Sequence, residues 1–160
     1  GLQFAPDFLG RPFDKFGHVD AEAASTVKLC AFPKSTLDRL LKASPALEHR
    51  LYEQALRELD EARDWMLTLG RKAAEEKVAS FLLLVASHLD PEIEQEAEGL
   101  TTFDLPMSRA DMADFLGLTL ETVSRRMTHL RHTGAIEIEH NRTIKVPNVE
   151  LLRQRSGDVE

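Results

Sequence analysis

The sequence predicts an α+β fold with a short β-rich part at its start, one long helix, and a C-terminal unit of short helices with a β-hairpin. Three observations support this order. Residues 44–69 keep an unbroken helical periodicity, two short segments after Pro106 begin with helix-capping residues, and alternating apolar residues flank His140 and Asn141.

Composition excludes several other classes of protein. The 160 residues are 42% hydrophobic and 29% charged, with eight glycines and seven prolines, which is typical of a globular chain. The richest apolar stretch, residues 78–85, is shorter than the roughly 18 residues that cross a membrane. Cys30 is the single cysteine and the start lacks signal-peptide features, so we expect a cytoplasmic protein with no membrane partner.

Charge is unevenly distributed along the chain. The net charge of −7 disfavours a general electrostatic binder of nucleic acid. Residues 1–100 carry 12 basic and 18 acidic side chains, whereas residues 119–145 carry five basic and three acidic ones. Any contact with phosphate is therefore expected in the later segment.

The first 43 residues predict the end of a β-rich domain. Residues 27–32 have strand-like composition, and Ser35 is expected to open a short amphipathic helix after Pro33. A single strand is not stable alone, so we assign residues 1–43 to the trailing part of a domain whose earlier strands lie elsewhere.

A long helix is predicted from Ser44, an N-cap followed by Pro45 at the first helical position, to a stop at Gly70. Spacings of three and four residues form an apolar seam on this helix, which is the pattern for pairing with a second helix. The seam consists of Tyr52, Ala55, Leu59, Ala62, Met66 and Leu69. We assign residues 44–70 to dimerisation, and the alternative is one wide buried face in a monomer.

A further helix is predicted over residues 72–89, where Asp90 and Pro91 end it. Its apolar face consists of Val78, Phe81, Leu82 and Val85. The acidic run that follows, residues 92–98, is interpreted as a solvated connector.

Two short helices with a tight turn between them are predicted next. Ser108 and Asp111 have the spacing of a capping box, and Gly117 can adopt the positive φ of a turn. Thr119 then caps a second helix that reaches Gly134. This arrangement is a helix-turn-helix.

The segment after Gly134 predicts a β-hairpin, because isoleucine and valine alternate with polar residues on both sides of His140 and Asn141. A helix-turn-helix followed by such a hairpin is a winged helix, which we assign to residues 71–160. This module favours binding to nucleic acid, and the alternative is an ordinary helix pair within a core.

The second helix of the pair presents residues that can read base edges. Arg125 can donate to guanine O6 and N7, Glu121 can accept from cytosine N4, and Ser124 can reach either kind of base. The alternative for Glu121 and Arg125 is an ion pair along the helix. We expect phosphate contacts from nearby polar and basic residues, namely Ser108, Thr119, Thr122, Arg126, His129 and Arg142.

Residues 107–125 resemble the DNA-binding domain of the Crp/Fnr regulators, and Glu121, Ser124 and Arg125 match the Glu-x-x-Ser-Arg signature of its Fnr-type branch. Residues 73–81 are similar to the helix that follows the hinge in this family, and residues 44–69 fall where its dimerisation helix lies. The resemblance implies a fragment that begins near the end of a sensor β-roll. It also implies a homodimer whose two recognition helices read a palindrome of TTGAT-type half-sites. Arg126 departs from the usual pattern, which has an apolar residue there.

Cys30 lies in a Cys-x-x-Pro segment followed by Thr-Leu-Asp, which is similar to the segment that supplies one ligand of a [4Fe–4S] cluster in oxygen-sensing members of the family. Such a cluster needs four thiolates, so the resemblance implies a cluster in the full-length protein and none in this fragment. The alternatives are a small core residue and a cluster-free member controlled by another signal. The resemblance also places residues 7–12 near a surface that contacts RNA polymerase, and the alternative is a simple turn at a strand end.

Enzyme motifs are missing from the sequence. It contains no Gly-x-Ser-x-Gly, no phosphate-binding glycine loop and no His-Glu-x-x-His, and His129 and His132 have no further ligand at a suitable spacing. We therefore expect a transcription regulator and not an enzyme. A helical module that binds only proteins is the remaining alternative.

Overall fold

The computed structural model describes residues 2–10, 20–89 and 101–157. The chain divides into two compact units, Gly1–Trp65 and Met66–Glu160, so the boundary falls within the long helix. The acidic connector at residues 92–98 lies outside the described residues, as do Arg11 and Pro12.

The first unit contains α1 (Lys34–Ala43) and the larger part of α2 (Pro45–Arg71). The strand predicted over residues 27–32 is wrong, because this segment is irregular and exposed. A strand requires a hydrogen-bonded neighbour, and the described part of this unit contains none. The predicted start of α1 at Ser35 is also wrong: Pro33 is its N-cap, and the Pro33 carbonyl accepts from the N–H groups of Thr36 and Leu37.

Helix α2 begins where the sequence predicts. The N–H of Leu47 lies 3.0 Å from the Ser44 carbonyl oxygen and 3.4 Å from its hydroxyl, and Pro45 occupies the first turn. The predicted end is wrong by two residues, because Gly70 remains helical and Lys72 donates to the Thr68 carbonyl. Glycine permits a helix to end but does not force it to do so. The 27 residues give a helix of about 40 Å.

The second unit is built around α3 (Ala74–Leu89), which packs against α5 (Leu120–His132) and α6 (Val149–Ser156). Helix α4 (Arg109–Leu116) packs against α5. The predicted apolar face of α3 is confirmed, since all of its members are fully buried. The core of the unit includes Val78, Phe81, Leu82, Val85, Met112, Leu116, Val123, Met127, Leu130, Ile136, Ile144 and Leu152.

A three-stranded antiparallel sheet completes this unit, with β3 (Thr143–Val146) between β1 (Thr101–Asp104) and β2 (Glu137–Glu139). The predicted hairpin is confirmed as β2 and β3, and both residues of its turn, His140 and Asn141, have positive φ. The sequence reasoning missed β1 and α6. Strand β1 has only four residues and pairs with a strand about 40 positions away, so it lacks a local signal.

The helix-turn-helix forms with the predicted caps. Ser108 and Asp111 make both hydrogen bonds of a capping box, and Gly117 adopts a left-handed conformation with φ of 62°. The hydroxyl of Thr119 accepts from the N–H of Thr122 at 3.1 Å. These local bonds fix where α4 ends and where α5 begins.

The cap of α4 gives a first testable prediction. Hydrogen bonds from the Ser108 hydroxyl and from the Ser108 amide lower the pKa of Asp111 below its ordinary value. The cap therefore stabilises the fold above the pKa that Asp111 has in the unfolded chain, and this contribution is lost as the pH falls through the lower folded-state pKa. We expect Ser108→Ala to raise the Asp111 pKa and to reduce the free energy of unfolding by about 1 kcal/mol.

The measurement is an NMR titration of the Asp111 carboxyl carbon together with urea unfolding near neutral pH. Ser35→Ala is the matched control, because Ser35 is exposed in α1 and does not cap the helix. An Asp111 titration that is the same in Ser108→Ala as in the parent chain would contradict the prediction.

Candidate DNA-binding surface

The outer face of α5 brings the three predicted base-reading residues together near its start. The side chains of Glu121 and Arg125 are 88% and 61% exposed, and Ser124 is half-buried beside them. Arg125 Nη1 lies 3.9 Å from Glu121 Oε1, so the ion pair along the helix also exists. This distance is at the outer limit of an ion pair, and it leaves the guanidinium group largely accessible.

The inner face of α5 determines which residues point outward. Val123, Met127 and Leu130 are completely buried. Because these residues recur at helical spacing, their burial fixes the rotation of α5 about its own axis. The residues on the opposite side, including Glu121 and Arg125, must then face solvent.

Two helix N-termini carry capping residues that are among the predicted phosphate contacts. Ser108 caps α4, and Thr119 caps α5 and also donates from its hydroxyl to Thr122 at 2.9 Å. Ser108 and Thr119 are exposed, and Thr122 is half-buried. Because the first N–H groups of a helix are partly unsatisfied, such termini attract phosphate groups.

Two of the predicted phosphate contacts share one acidic partner, Glu75. Arg126 Nη1 lies 3.8 Å from Glu75 Oε2, and His129 Nδ1 lies 2.7 Å from the same oxygen. Arg155 of α6 adds a third group, with Nη1 at 3.7 Å from Glu75 Oε1. Met127 and Leu130, which follow Arg126 on α5, are fully buried and make the core contacts there. A phosphate role for Arg126 and His129 stays a prediction.

The sequence analysis did not single out Glu75 or Arg155. The available signal was Arg126 itself, since a basic residue at a position that is usually apolar needs a partner of opposite charge.

The hairpin carries its own polar contacts. Arg142 Nε donates to the carbonyl of Leu105 at 3.1 Å, and the Leu105 N–H donates back to the Arg142 carbonyl. Lys145 Nζ lies 2.6 Å from Glu139 Oε1. This bond and the attraction between the charges lower the pKa of Glu139 and raise the pKa of Lys145. Lys145 therefore stays cationic but is locally neutralised.

The predicted dimer seam on α2 is exposed along its whole length. Every member, from Tyr52 to Leu69, is exposed in this chain, and Met66 reaches 65%. The described residues therefore leave the seam uncovered, and its role in dimerisation stays a prediction.

Cys30 is exposed in this chain and is not part of the described core. Among the described residues no three histidine, cysteine or acidic side chains are grouped to hold a metal ion. In the same residues, no helix is both long enough and apolar enough to span a membrane.

Comparison with known proteins identifies the family. The model of the Crp-like helix-turn-helix domain matches residues 76–155. A protein of Rhizobium leguminosarum bv. viciae named "Probable transcriptional activator" is 55% identical over 96% of this chain and 62% of its own length. The "Transcriptional activator protein FnrL" of Cereibacter sphaeroides is 41% identical over 99% of this chain and 64% of its own length.

Solved structures agree with this result. The structure of FixK2 from Bradyrhizobium japonicum matches with a TM-score of 0.64 and 35% identity, over 79% of this chain and 60% of that one. The chain thus spans less than two thirds of the length of these relatives. Because the domain model covers half of the chain and the relatives match nearly all of it, the chain belongs to the Crp/Fnr family of transcription regulators and not to a family of enzymes.

Proposed function

We propose that this chain forms the DNA-binding and dimerisation part of a regulator that binds a palindrome of TTGAT-type half-sites as a homodimer. The observation that carries the proposal is the outer face of α5, where Glu121, Ser124 and Arg125 stand exposed or half-buried at the start of a rigidly packed helix. In helix-turn-helix proteins this part of the second helix enters the major groove. Each subunit would read one half-site.

The chemistry of the three residues fits direct reading of bases. The guanidinium of Arg125 can donate two parallel bonds to guanine O6 and N7, and the carboxylate of Glu121 can accept from cytosine N4. Their spacing of one helical turn also lets Glu121 orient Arg125 through the 3.9 Å contact. The caps Ser108 and Thr119, with Thr122, would bind phosphates through their hydroxyls and the adjacent N–H groups.

A two-fold homodimer would explain why the proposed DNA site is a palindrome. We propose that the exposed seam from Tyr52 to Leu69 pairs with the same seam of a second copy, because an apolar a/d pattern on an exposed helix is the pattern of a two-stranded coiled coil. Two-fold pairing would place the two α5 helices about 34 Å apart, one turn of DNA.

A further partner, RNA polymerase, is suggested by the family and by the relatives that are named as transcriptional activators. We propose that the whole protein works in the cytoplasm and contacts RNA polymerase near residues 7–12. In the described part of this segment, Asp7 closes a turn, with its N–H bonded to the Phe4 carbonyl and its carboxylate accepting from the Phe4 N–H.

We propose that the whole protein senses oxygen through a [4Fe–4S] cluster to which Cys30 contributes one thiolate. The exposure of Cys30 supports this role, since a ligand supplied to a shared cluster must be reachable from outside its own segment. The residues of this chain do not fit a cluster by themselves, because it holds one cysteine of the four required. A cluster-free regulator under another signal is the second candidate.

Arg125→Ala tests the base-reading role. We expect it to reduce discrimination at the guanine of TTGAT by about 1–3 kcal/mol, because the bidentate contact is lost. The measurement is fluorescence anisotropy with the palindrome and with duplexes changed at that base pair, over a range of salt concentrations. Arg131→Ala is the control: it removes the same charge from the end of α5 and should change the salt dependence but not the base preference. Equal loss of preference in both variants would refute the assignment.

Leu59→Glu tests the dimer seam. We expect the variant to sediment as a monomer, because the seam would bury two like charges against each other. Leu56→Glu is the matched control, since Leu56 lies off the seam on the same helix and is 62% exposed. Sedimentation velocity of the two variants at equal concentration distinguishes them, and a Leu59→Glu chain that still dimerises would exclude this seam.

Cys30→Ala tests the cluster in the whole protein, purified without oxygen. We expect the parent protein to show visible absorbance and bound iron that air removes, and the variant to show neither. Binding to the palindrome should fall with the absorbance. Tight binding that is indifferent to air and to Cys30 would favour the cluster-free candidate.

A further inference from the structure

We propose that Glu75 is a positioning residue for DNA recognition: from the first turn of α3 it holds α5 in the orientation that presents Arg125 to the bases. This inference rests on the proposed function, because it concerns how the same surface obtains its specificity. It assigns a role in DNA reading to a residue outside the helix-turn-helix.

The contacts converge on one carboxylate. Arg126 and His129 of α5 both approach Glu75 Oε2, at 3.8 and 2.7 Å, and Arg155 of α6 approaches Oε1 at 3.7 Å. The Glu75 side chain is only 18% exposed. Screening by water is therefore weaker here than at an open surface pair such as Glu121 and Arg125.

Arg126 shows why this partner is needed. Its side chain is 37% exposed, and its Nε atom is buried without a hydrogen-bond partner among the described residues. Without Glu75, Arg126 and Arg155 would lie near each other with no compensating charge. One carboxylate thus allows a basic residue to occupy a position that is usually apolar in helix-turn-helix motifs.

The same contacts act on the orientation of the recognition helix. Arg126 directly follows Arg125, and His129 lies one turn further along the same flank of α5. Apolar packing sets which face of α5 points inward, and the 2.7 Å contact of His129 with the Glu75 carboxylate adds a directional restraint on this flank, supported by the attraction of Arg126 at 3.8 Å. Bidentate contact between Arg125 and a guanine depends on this restraint.

Glu75 is expected to improve base preference by orienting α5, but its negative charge is also expected to lower the overall affinity for DNA. A carboxylate beside the binding face repels phosphate, and it pairs with Arg126, a cation that could otherwise bind the DNA backbone. Loss of its charge should therefore strengthen binding to any DNA sequence while it weakens the preference for the palindrome. A residue that merely stabilises the fold would change both kinds of binding in the same direction.

The test compares Glu75→Gln with Glu76→Gln in the full chain. Glu76 is the matched control, because its carboxylate lies in the same turn of α3 but accepts from the Ala73 N–H at 2.6 Å and makes no ion pair with α5 in the described structure. Affinities are measured for a TTGAT–ATCAA palindrome and for a duplex with scrambled half-sites, and circular dichroism confirms the fold of each variant.

We expect Glu75→Gln to lower the ratio of the two affinities about tenfold, without weakening binding to the scrambled duplex, whereas Glu76→Gln keeps the ratio. An unchanged ratio in Glu75→Gln would overturn the inference, and so would a parallel loss of both affinities. A parent chain with no preference for the palindrome would instead overturn the proposed function, and the inference with it.

Arg126→Met covers the case in which Glu75→Gln does not fold. It removes one partner of Glu75 and restores the apolar character that is usual at this position, so the helix pair should remain packed. We expect a roughly threefold lower ratio for the palindrome over the scrambled duplex. A folded Arg126→Met chain with the parent ratio would overturn the inference.

Discussion

Burial of the inner face of α5 against α3 is the constraint on which the binding surface depends. Val123, Met127 and Leu130 lose all contact with water, and together they determine which way the helix faces. Glu121 and Arg125 lie on the opposite side of α5 and are largely exposed, so this packing does not depend on their side chains. Arg125 and Glu121 are free to match a DNA sequence because the opposite side of the helix holds it in place.

The features that could be predicted from the sequence are those decided by neighbours in the chain. Ser108 and Asp111 form a capping box from a spacing of three residues, and Gly117 is suited to the positive φ of the turn. The hairpin follows from alternation around His140 and Asn141. Each of these signals lies within a few residues of the structure it specifies, so the local sequence is sufficient to predict the caps, the turn and the hairpin.

The features that could not be predicted depend on partners far away in the sequence. The strand expected over residues 27–32 has no partner in the described part of the first unit, whereas the four-residue β1 exists because β3 pairs with it. Glu75 is separated from Arg126 by about 50 residues. An acidic residue is favourable in the first turn of any helix, so its presence there does not indicate an ionic partner. Local composition therefore predicted a strand that does not form, and although Arg126 indicated a need for an acidic partner, nothing near it in the sequence identified that partner as Glu75.

The distribution of charge explains how a chain with a net charge of −7 can serve a DNA-binding role. A broadly basic surface would favour every DNA sequence alike, because attraction to phosphate does not depend on the bases. In this chain Glu75 pairs with Arg126 of α5 and Arg155 of α6, and Glu139 pairs with Lys145 on the hairpin, so less of the positive charge is available for general attraction. Under the proposed function, discrimination would then rest more on Arg125 and its neighbours, which would contact bases and not the backbone. Acidic residues near the surface thus favour selectivity at the expense of overall affinity.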